Sequence, residues 1–245
     1  MNFWARAIRS PLRLLPTGMV LPILTGRLRG RKWIVGSGDH SCWIGSYELG
    51  KQRAFAQVTP FGGTVLDLGA NVGFYTLLAA ELVGPSGRVH AFEPVPRNLQ
   101  YLRRHIALNG LTNVSVIEAA VSDASGKRRF RLHVSAAMGH LGDDGQLEVR
   151  TVALDQFVFG TSVAAPHSIK IDVEGAEFSV LQGAREVLSQ HRPALLLATH
   201  SHALRSQCLD LLAAHGYTVR PINTSDGDMA DEFVAIHTKR SRRAA

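Results

Sequence analysis

The sequence predicts an α/β fold in which helices cover both faces of a mostly parallel sheet. Two observations support this prediction. Short apolar runs of strand length alternate with helix-length segments over most of the chain, and acidic or glycine-rich turns come directly after several of these runs. In such sheets ligands bind at the carboxyl ends of the strands, so we expect the functional residues in those turns.

Each element is predicted from its own pattern and its end signals. Apolar runs rich in β-branched residues indicate strands, and longer segments with helical spacing indicate helices, two of which stop at Gly110 and Gly216. Short antiparallel strands are predicted over 126–152, with an inserted loop at 135–144. The predicted helices cover 51–58, 75–82, 97–109, 176–190 and 201–215, and the predicted strands cover 65–68, 89–92, 114–117, 168–171, 194–197, 217–219 and 233–236.

The composition is that of one ordinary domain. The chain has 245 residues, 45% of them hydrophobic, which is enough to bury a full core. Its two cysteines, Cys42 and Cys208, cannot build a disulfide framework, and the sequence has no CxxC motif that would indicate structural zinc or thiol chemistry. No apolar run reaches the 18 residues of a membrane span. We therefore expect a cytoplasmic protein, with peripheral attachment to a membrane surface as an alternative.

The positive charge lies at the two ends of the chain. Residues 1–38 hold seven Lys or Arg and no acid, residues 239–245 hold four more, and residues 39–238 carry a net charge of −4. This distribution predicts a basic N-terminal extension (1–38), a central domain (39–238) and a basic C-terminal tail (239–245). It disfavours a nucleic-acid partner, whose binding face usually carries its charge on the folded body.

The N-terminal extension has one feature that bears on membranes. Trp4, Ile8, Leu12 and Leu15 would share one face of a short helix, although Pro11 breaks helices. We expect a segment packed on the domain or a loose tail, with weak contact to an anionic membrane surface as the alternative. Nothing in the pattern indicates an oligomeric state.

A glycine-punctuated turn joins the first strand of the alternating series to the next helix. Gly69 and Gly73 have no Cβ, so the backbone can approach a ligand closely, and the helix start offers free N–H groups. Asp67 comes two residues before the first glycine, and Glu93 follows the next strand, where it can accept hydrogen bonds from both hydroxyls of a ribose. The pattern indicates a cofactor that contains adenosine.

The residues of the turn favour S-adenosylmethionine over a dinucleotide. A dinucleotide fingerprint requires a glycine where this chain has Asn71. Asp67 would repel a pyrophosphate but could meet the ammonium group of S-adenosylmethionine, directly or through water. If the turn served only to pack helix on strand, Asp67 and Glu93 would be costly buried carboxylates without partners.

Two parts of the sequence resemble a known family. Residues 67–73 (DLGANVG) and 92–94 (FEP) look like the cofactor half of FkbM-type S-adenosylmethionine-dependent methyltransferases, and residues 169–177 (IKIDVEGAE) are similar to the family's most distinctive signature. The resemblance spans roughly residues 40–220. It implies the seven-stranded, Rossmann-like class I methyltransferase fold and methylation of a hydroxyl group on polyketides, sugars or glycans. The chain departs from the pattern at 197–200 (LATH), where relatives often carry a glutamate before the histidine.

The class I pattern also implies where adenine is contacted. Ser122 and Asp123 follow the third strand of the fold, at the position where such enzymes contact adenine. We therefore predict Asp67, Gly69, Asn71, Gly73, Glu93, Ser122 and Asp123 as cofactor-binding residues.

Three residues are candidates for chemistry on the acceptor. Asp172 ends a buried strand beside the cofactor strand and is the first candidate for contact with the acceptor hydroxyl, and Glu174 is the second, with helix capping as its alternative role. His140 lies in the inserted loop and is either a base or an ordinary loop histidine. His200 follows a later strand, and the same two alternatives apply to it.

A metal site is not predicted. The two carboxylates Asp172 and Glu174 could hold a divalent cation, but acids at this spacing are weak evidence for one. A metal pair of His200 and His202 lacks an apparent third ligand.

We therefore expect an O-methyltransferase that acts on a hydroxyl of a small molecule, sugar or glycan. An RNA or protein N-methyltransferase is one alternative, and a non-catalytic module that only binds S-adenosylmethionine is another.

Overall fold

The computed structural model describes residues 15–132, 139–142, 144–222 and 231–241. Strands and helices alternate along most of this length. In chain order the elements are β1 (Val20–Pro22), β2 (Lys32–Ile34), α1 (His40–Ile44), α2 (Leu49–Val58), β3 (Thr64–Leu68), α3 (Phe74–Val83), β4 (Arg88–Phe92), α4 (Pro96–Leu108), β5 (Val114–Ile117), β6 (Ala120–Ser122), β7 (Gly126–Leu132), β8 (Gly139–Leu141), β9 (Leu147–Ala153), α5 (Leu154–Gly160), β10 (Ser168–Ile171), α6 (Glu177–Gln182), a π-helical turn (Val187–His191), β11 (Ala194–Ala198), α7 (His202–Ala214), β12 (Tyr217–Pro221), β13 (Glu232–His237) and α8 (Thr238–Ser241).

A seven-stranded sheet forms the centre of the domain. Its strand order is β12-β13-β11-β10-β3-β4-β5, and β13 runs in the direction opposite to the other six strands. Every residue of β3, β10 and β11 is buried, as expected for strands covered on both faces. The predicted mostly parallel sheet is confirmed, and β3 lies near its middle with β4 on one side and β10 on the other.

A second, smaller sheet stands beside the first. Its order is β6-β9-β7-β8, with β7 antiparallel to both β8 and β9. The antiparallel strands predicted over 126–152 correspond to β7 and β9. The predicted inserted loop contains a strand of its own, β8, which brings Gly139 and Leu141 to the cavity described below.

Part of the predicted N-terminal extension is packed into the core. The β1–β2 hairpin buries Trp33 and Ile34 completely. The Trp33 ring stacks on the His105 ring with centroids 4.0 Å apart, and the backbone N–H of Ile34 donates to Nε2 of His105 at 3.0 Å. The domain boundaries at residues 38 and 238 stay predictions, and Trp4, Ile8 and Leu12 lie outside the described residues. Within the described ranges, no helix is both long and apolar enough to cross a bilayer.

The prediction of one continuous helix over 176–190 is wrong. The segment divides into α6 and the π-helical turn at Gly183, where the chain comes so close to β6 that a Cβ would overlap the carbonyl oxygen of Ser122. A side chain from another element binds the start of the π-helical turn. The Asp155 carboxylate accepts hydrogen bonds from the backbone N–H groups of Glu186 (3.1 Å) and Val187 (2.9 Å). This long-range contact is invisible in the helical periodicity.

Candidate active site

A cavity of about 240 Å³ opens at the carboxyl ends of β3, β4 and β10. The turn after β3, the end of β4 and the end of β10 form much of its wall. The segment before α1 and the residues around the start of β6 also contribute, with Ser37, Gly38, Asp39, Ala119, Ala120 and Val121 among the lining residues. The cavity therefore lies at the sheet edge where the sequence predicts the functional residues.

The glycines of the β3 turn are required by protein contacts. Gly69 has φ +72°, and a Cβ there would overlap the backbone carbonyl oxygen of Asp172. Gly73 has φ +101°, and a Cβ there would lie 2.7 Å from Cδ1 of Leu102. Asn71 takes a left-handed conformation with φ 51°. Gly69 and Asn71 line the cavity and Gly73 does not, so the second glycine serves the packing of α3 against α4.

Glu93 lies on the cavity wall at the end of β4 with 4% of its surface exposed. Its Oε2 accepts from the backbone N–H of Asn71 at 2.8 Å, and its Oε1 accepts from the backbone N–H of Val95 at 2.9 Å and from Asn98 at 3.3 Å. Burial raises the pKa of the Glu93 carboxyl, and these hydrogen bonds oppose the rise. A carboxylate has about four acceptor positions, so Glu93 retains capacity for a hydroxyl donor in the cavity.

Asp67 is not among the cavity-lining residues. It is fully buried inside β3, where its Oδ2 accepts from the Thr76 hydroxyl at 2.6 Å and its Oδ1 lies 3.5 Å from Nζ of Lys170. The side chain that reaches the wall at this level is Lys170, whose Nζ donates to the backbone oxygen of Gly69 at 2.8 Å. Asp67 therefore does not itself reach the cavity wall, and its contact with a ligand ammonium group, directly or through water, stays a prediction.

A different carboxylate stands beside the glycine turn. Asp39 lines the cavity, and its neighbour Gly38 packs against Val72 of the turn, since a Cβ on Gly38 would lie 3.3 Å from Cγ2 of Val72. The Asp39 carboxylate also caps α1 by accepting from the backbone N–H of Ser41 at 2.8 Å. No sequence pattern indicated Asp39, because it lies in a segment without a recognisable cofactor motif.

Ser122 and Asp123 lie outside the cavity wall. The Ser122 hydroxyl is buried and donates to Oδ1 of Asp123 at 2.8 Å, and Arg128 contacts both residues at 3.2 and 2.9 Å. The three residues before them, 119–121, line the cavity with small or apolar side chains. The adenine contact at Ser122 and Asp123 stays a prediction, and the part of this segment that lines the cavity is 119–121.

His140 also points away from the cavity. It pairs with Arg131 across the β7–β8 ladder and is exposed, whereas Gly139 and Leu141 on either side of it line the cavity. Successive side chains of a strand alternate between its two faces, so His140 projects from the outer face. The structure does not bring His140 to Asp172 or Glu174.

Asp172 and Glu174 line the cavity where β10 ends. Oδ2 of Asp172 lies 2.9 Å from Nζ of Lys51 and 3.8 Å from Nζ of Lys170. Burial by itself would raise the pKa of the Asp172 carboxyl, but the two lysines outweigh it and lower the pKa to about 2. Asp172 is therefore ionised over the whole physiological range.

Lys51 forms ion pairs with Asp172 and with two further carboxylates. Its side chain is 1% exposed, and its Nζ also lies 3.0 Å from Oε1 of Glu232 and 3.3 Å from Oε2 of Glu48. Burial would lower the pKa of Lys51, and the three carboxylates, with Asp172 first, raise it above its usual range instead. No sequence signal indicated Lys51, because its partners come from distant parts of the chain.

His200 joins the two predicted acidic residues from the end of β11. Its Nδ1 lies 2.8 Å from Oε1 of the fully buried Glu177, and its Nε2 lies 3.3 Å from Oε2 of Glu174 and 3.6 Å from Oδ1 of Asp172. The hydrogen bond to Glu177 raises the pKa of His200 to about 8, against the effect of burial. His200 therefore forms a group with Asp172 and Glu174, which the sequence alone did not indicate. His202 is not part of this group and is the first residue of α7.

Comparison with known proteins identifies the family. The family model described as the methyltransferase FkbM domain matches residues 67–219, which include the glycine turn, Glu93, Asp172 and His200. The chain belongs to the FkbM methyltransferase family.

Relatives of this FkbM-family chain include enzymes with named activities. It is 27% identical to the 31-O-demethyl-FK506 methyltransferase FkbM of Streptomyces tacrolimicus over 219 residues, which cover 75% of this chain and 82% of that protein. It is 28% identical to the hexuronic acid methyltransferase AglP of Haloferax volcanii over 124 residues, half of each chain. It is also 28% identical to the 2-O-methyltransferase NoeI of Sinorhizobium fredii over 150 residues, which cover 52% of this chain and 60% of that protein.

A solved structure of the family has the same fold. The methyltransferase FkbM from Methylobacillus flagellatus KT aligns with a TM-score of 0.52 at 20% identity. The alignment covers 82% of this chain and 56% of that one. The fold class is therefore that of the class I, Rossmann-like methyltransferases.

The FkbM-family chain is an S-adenosylmethionine-dependent methyltransferase. The cavity fits this cofactor, because a buried carboxylate, Glu93, faces it at the end of β4, and small or apolar side chains at 119–121 offer a surface for a flat ring. Lys170 and Asp39 provide one charge of each sign on the same wall, and the methionine part of the cofactor carries one charge of each sign.

Proposed function

We propose that this methyltransferase transfers the methyl group to a hydroxyl of a sugar, a glycan or another small molecule. The observation that carries the proposal is the acidic wall made by Asp172 and Glu174, with His200 beside it. These groups can accept a proton or a hydrogen bond from a hydroxyl. The activities named for the relatives FkbM, AglP and NoeI concern 31-O-demethyl-FK506, a hexuronic acid and a 2-O position, and they support the same class of acceptor.

The cofactor is assigned to the side of the cavity nearer β4. When bound, S-adenosylmethionine supplies the electrophilic methyl group. Glu93 accepts the ribose hydroxyls, and the backbone and side chains at 119–121 flank the adenine. Lys170 pairs with the carboxylate of the methionine part and Asp39 with its ammonium, in place of the predicted Asp67.

The acceptor is assigned to the side nearer β10. Glu93 and Asp172 follow strands on opposite sides of β3, so about 10 Å separates the two strand ends. Asp172 holds the acceptor hydroxyl by a hydrogen bond and aligns it with the methyl group, which accounts for most of the rate gain in such displacements. Because the pKa of Asp172 is about 2, Asp172 alone is a weak base. Burial raises the pKa of the neighbouring Glu174 carboxyl, so Glu174 takes the proton.

Transfer of a labelled methyl group tests this proposal. The full-length protein is incubated with S-adenosylmethionine that carries a deuterated methyl group. The acceptors are hexuronic acids, deoxyhexoses, glycans and hydroxylated polyketides, with RNA and protein as competing acceptors. Mass spectrometry should find the label on at least one acceptor as a methyl ether, which survives mild base. Label found only as a base-labile methyl ester, or only on nitrogen of RNA or protein, would overturn the proposal.

A further inference from the structure

Three side chains at the carboxyl edge of the sheet form a compact group. Asp172, Glu174 and His200 each present one ligand atom, and these atoms lie within 4.8 Å of one another. Nε2 of His200 is 3.3 Å from the Glu174 carboxylate and 3.6 Å from the Asp172 carboxylate. Neighbouring ligands around an ion with bonds near 2.1 Å are about 3 Å apart, so the observed separations suit a shared ion after a small adjustment.

The histidine of this group is oriented as metal ligands are. Nδ1 of His200 faces Oε1 of Glu177 at 2.8 Å, and the same oxygen accepts from the backbone N–H of Gly175 at 2.9 Å. In the tautomer that donates from Nδ1 to Glu177, the lone pair of Nε2 points toward Asp172 and Glu174. A carboxylate behind the imidazole is the common arrangement in protein metal centres. Oε2 of Glu177 is buried, and it has no hydrogen-bond partner within the described part of the chain.

The balance of charges around this group favours an additional cation. The ion pairs around this group connect six carboxylates and two ammonium groups, those of Lys51 and Lys170. Six carboxylates outnumber these two ammonium groups even when His200 carries a third positive charge, so acidic groups are in excess in a half-buried region. A divalent cation would reduce that excess. The six carboxylates belong to Glu48, Asp67, Asp172, Glu174, Glu177 and Glu232.

We propose that Asp172, Glu174 and His200 bind a divalent first-row metal ion such as Mn²⁺, oriented through Glu177. Carboxylate oxygens suit Mn²⁺, and the imidazole favours first-row metals over Mg²⁺ or Ca²⁺. Three protein ligands leave positions open, at which an acceptor oxygen can bind and lose its proton more easily. This catalytic role rests on the proposed function, whereas the binding of the metal does not.

Titration with Mn²⁺ alone tests the site without cofactor or acceptor. Free Mn²⁺ is followed by electron paramagnetic resonance while the full-length protein is added. We expect one ion per chain, weakened at least about tenfold by His200→Ala and by Glu174→Gln, and about tenfold by Glu177→Gln, the positioning residue. Pulsed resonance should detect coupling to a histidine nitrogen that is lost in His200→Ala. His140→Ala and His202→Ala are the matched controls and should bind as the native chain does.

The outcomes separate this site from the proposed function. Absence of stoichiometric binding in the native protein, or binding that His200→Ala leaves unchanged, would overturn the metal site. Methyl transfer that persists after chelation but is lost in His200→Ala would also overturn it, because His200 would then act without an ion. Glu93→Ala should lose S-adenosylmethionine and keep Mn²⁺. If Mn²⁺ binds as expected and no hydroxyl is methylated, the metal site stands and the proposed function fails.

Discussion

The cofactor side and the acceptor side of the cavity are held together by different interactions. Around the β4 end, neutral or backbone hydrogen bonds predominate: Glu93 accepts from two backbone amides and an asparagine, and His105 bonds to the backbone of Val72 at 2.7 Å and of Ile34 at 3.0 Å. Around the β10 end, ion pairs predominate, with Lys51 bonded to Asp172 at 2.9 Å. The two sides should therefore respond differently to acid and to loss of a charge.

The largest expected effect comes from breaking the junction between the two sides. Gly69→Ala places a methyl group on the carbonyl oxygen of Asp172 at a positive φ, so the glycine turn must separate from the end of β10. We expect a loss of more than about 4 kcal/mol in the free energy of unfolding, measured by urea denaturation. Gly110→Ala is the control, because its φ is +60° and its Cβ would meet nothing within 4 Å; backbone strain alone should cost about 1–2 kcal/mol. Equal losses in the two variants would contradict this account of the junction.

Removal of the buried cation should come next. Lys51→Met leaves Asp172, Glu48 and Glu232 without their shared ammonium group in a buried site, and we expect a loss of about 3–5 kcal/mol in the free energy of unfolding. Lys127→Met is the matched control. Lys127 pairs with Glu148 at 2.8 Å on the surface, a similar distance without burial, so its removal should leave the stability unchanged. Thermal and urea unfolding of both variants would check the contrast, and a stable Lys51→Met variant would refute it.

Acid should weaken the cofactor side through His105. Burial lowers the pKa of His105 to about 4 from 6.5, despite the hydrogen bond to Val72. A neutral His105 therefore stabilises the fold fully above pH 6.5, and this contribution of about 3 kcal/mol is lost as the pH falls through 6.5 toward 4.

A variant that cannot titrate tests this dependence. His105→Gln should be less stable than the native protein at pH 7, and its free energy of unfolding should fall less between pH 7 and pH 4. Parallel pH profiles for the two proteins would show that another group causes the acid sensitivity.

The sequence predicts the glycine turn and Glu93 better than it predicts the contacts around Asp172, and the reason is physical. The glycine turn and Glu93 are local features of two consecutive strands, and parallel pairing brings their ends together without further information. The mostly parallel α/β sheet and the S-adenosylmethionine cofactor follow from such local patterns, the seven-stranded class I fold follows from the family resemblance, and all three are confirmed.

The acceptor side depends on contacts between distant parts of the chain. Lys51, Asp172, His200 and Glu232 come from four elements, so no spacing in the sequence indicates that they meet. The sequence also does not show on which side of their strands the side chains of His140 and Asp67 lie. A shift of one residue along a strand moves a side chain to the opposite face. The hairpin containing Trp33 was missed because its strands are only three residues long.

The division of the cavity into two sides is the central claim, and one binding measurement tests it most directly. Isothermal titration of S-adenosylmethionine is carried out on Glu93→Gln and Asp172→Asn alongside the native protein. We expect Glu93→Gln to raise the Kd about 10-fold or more, because hydrogen bonds to a charged group contribute about 1.5–3 kcal/mol. We expect Asp172→Asn to leave the Kd within about threefold, because Asp172 faces the acceptor and does not contact the cofactor in this account. Loss of cofactor binding in Asp172→Asn with native binding in Glu93→Gln would contradict the account.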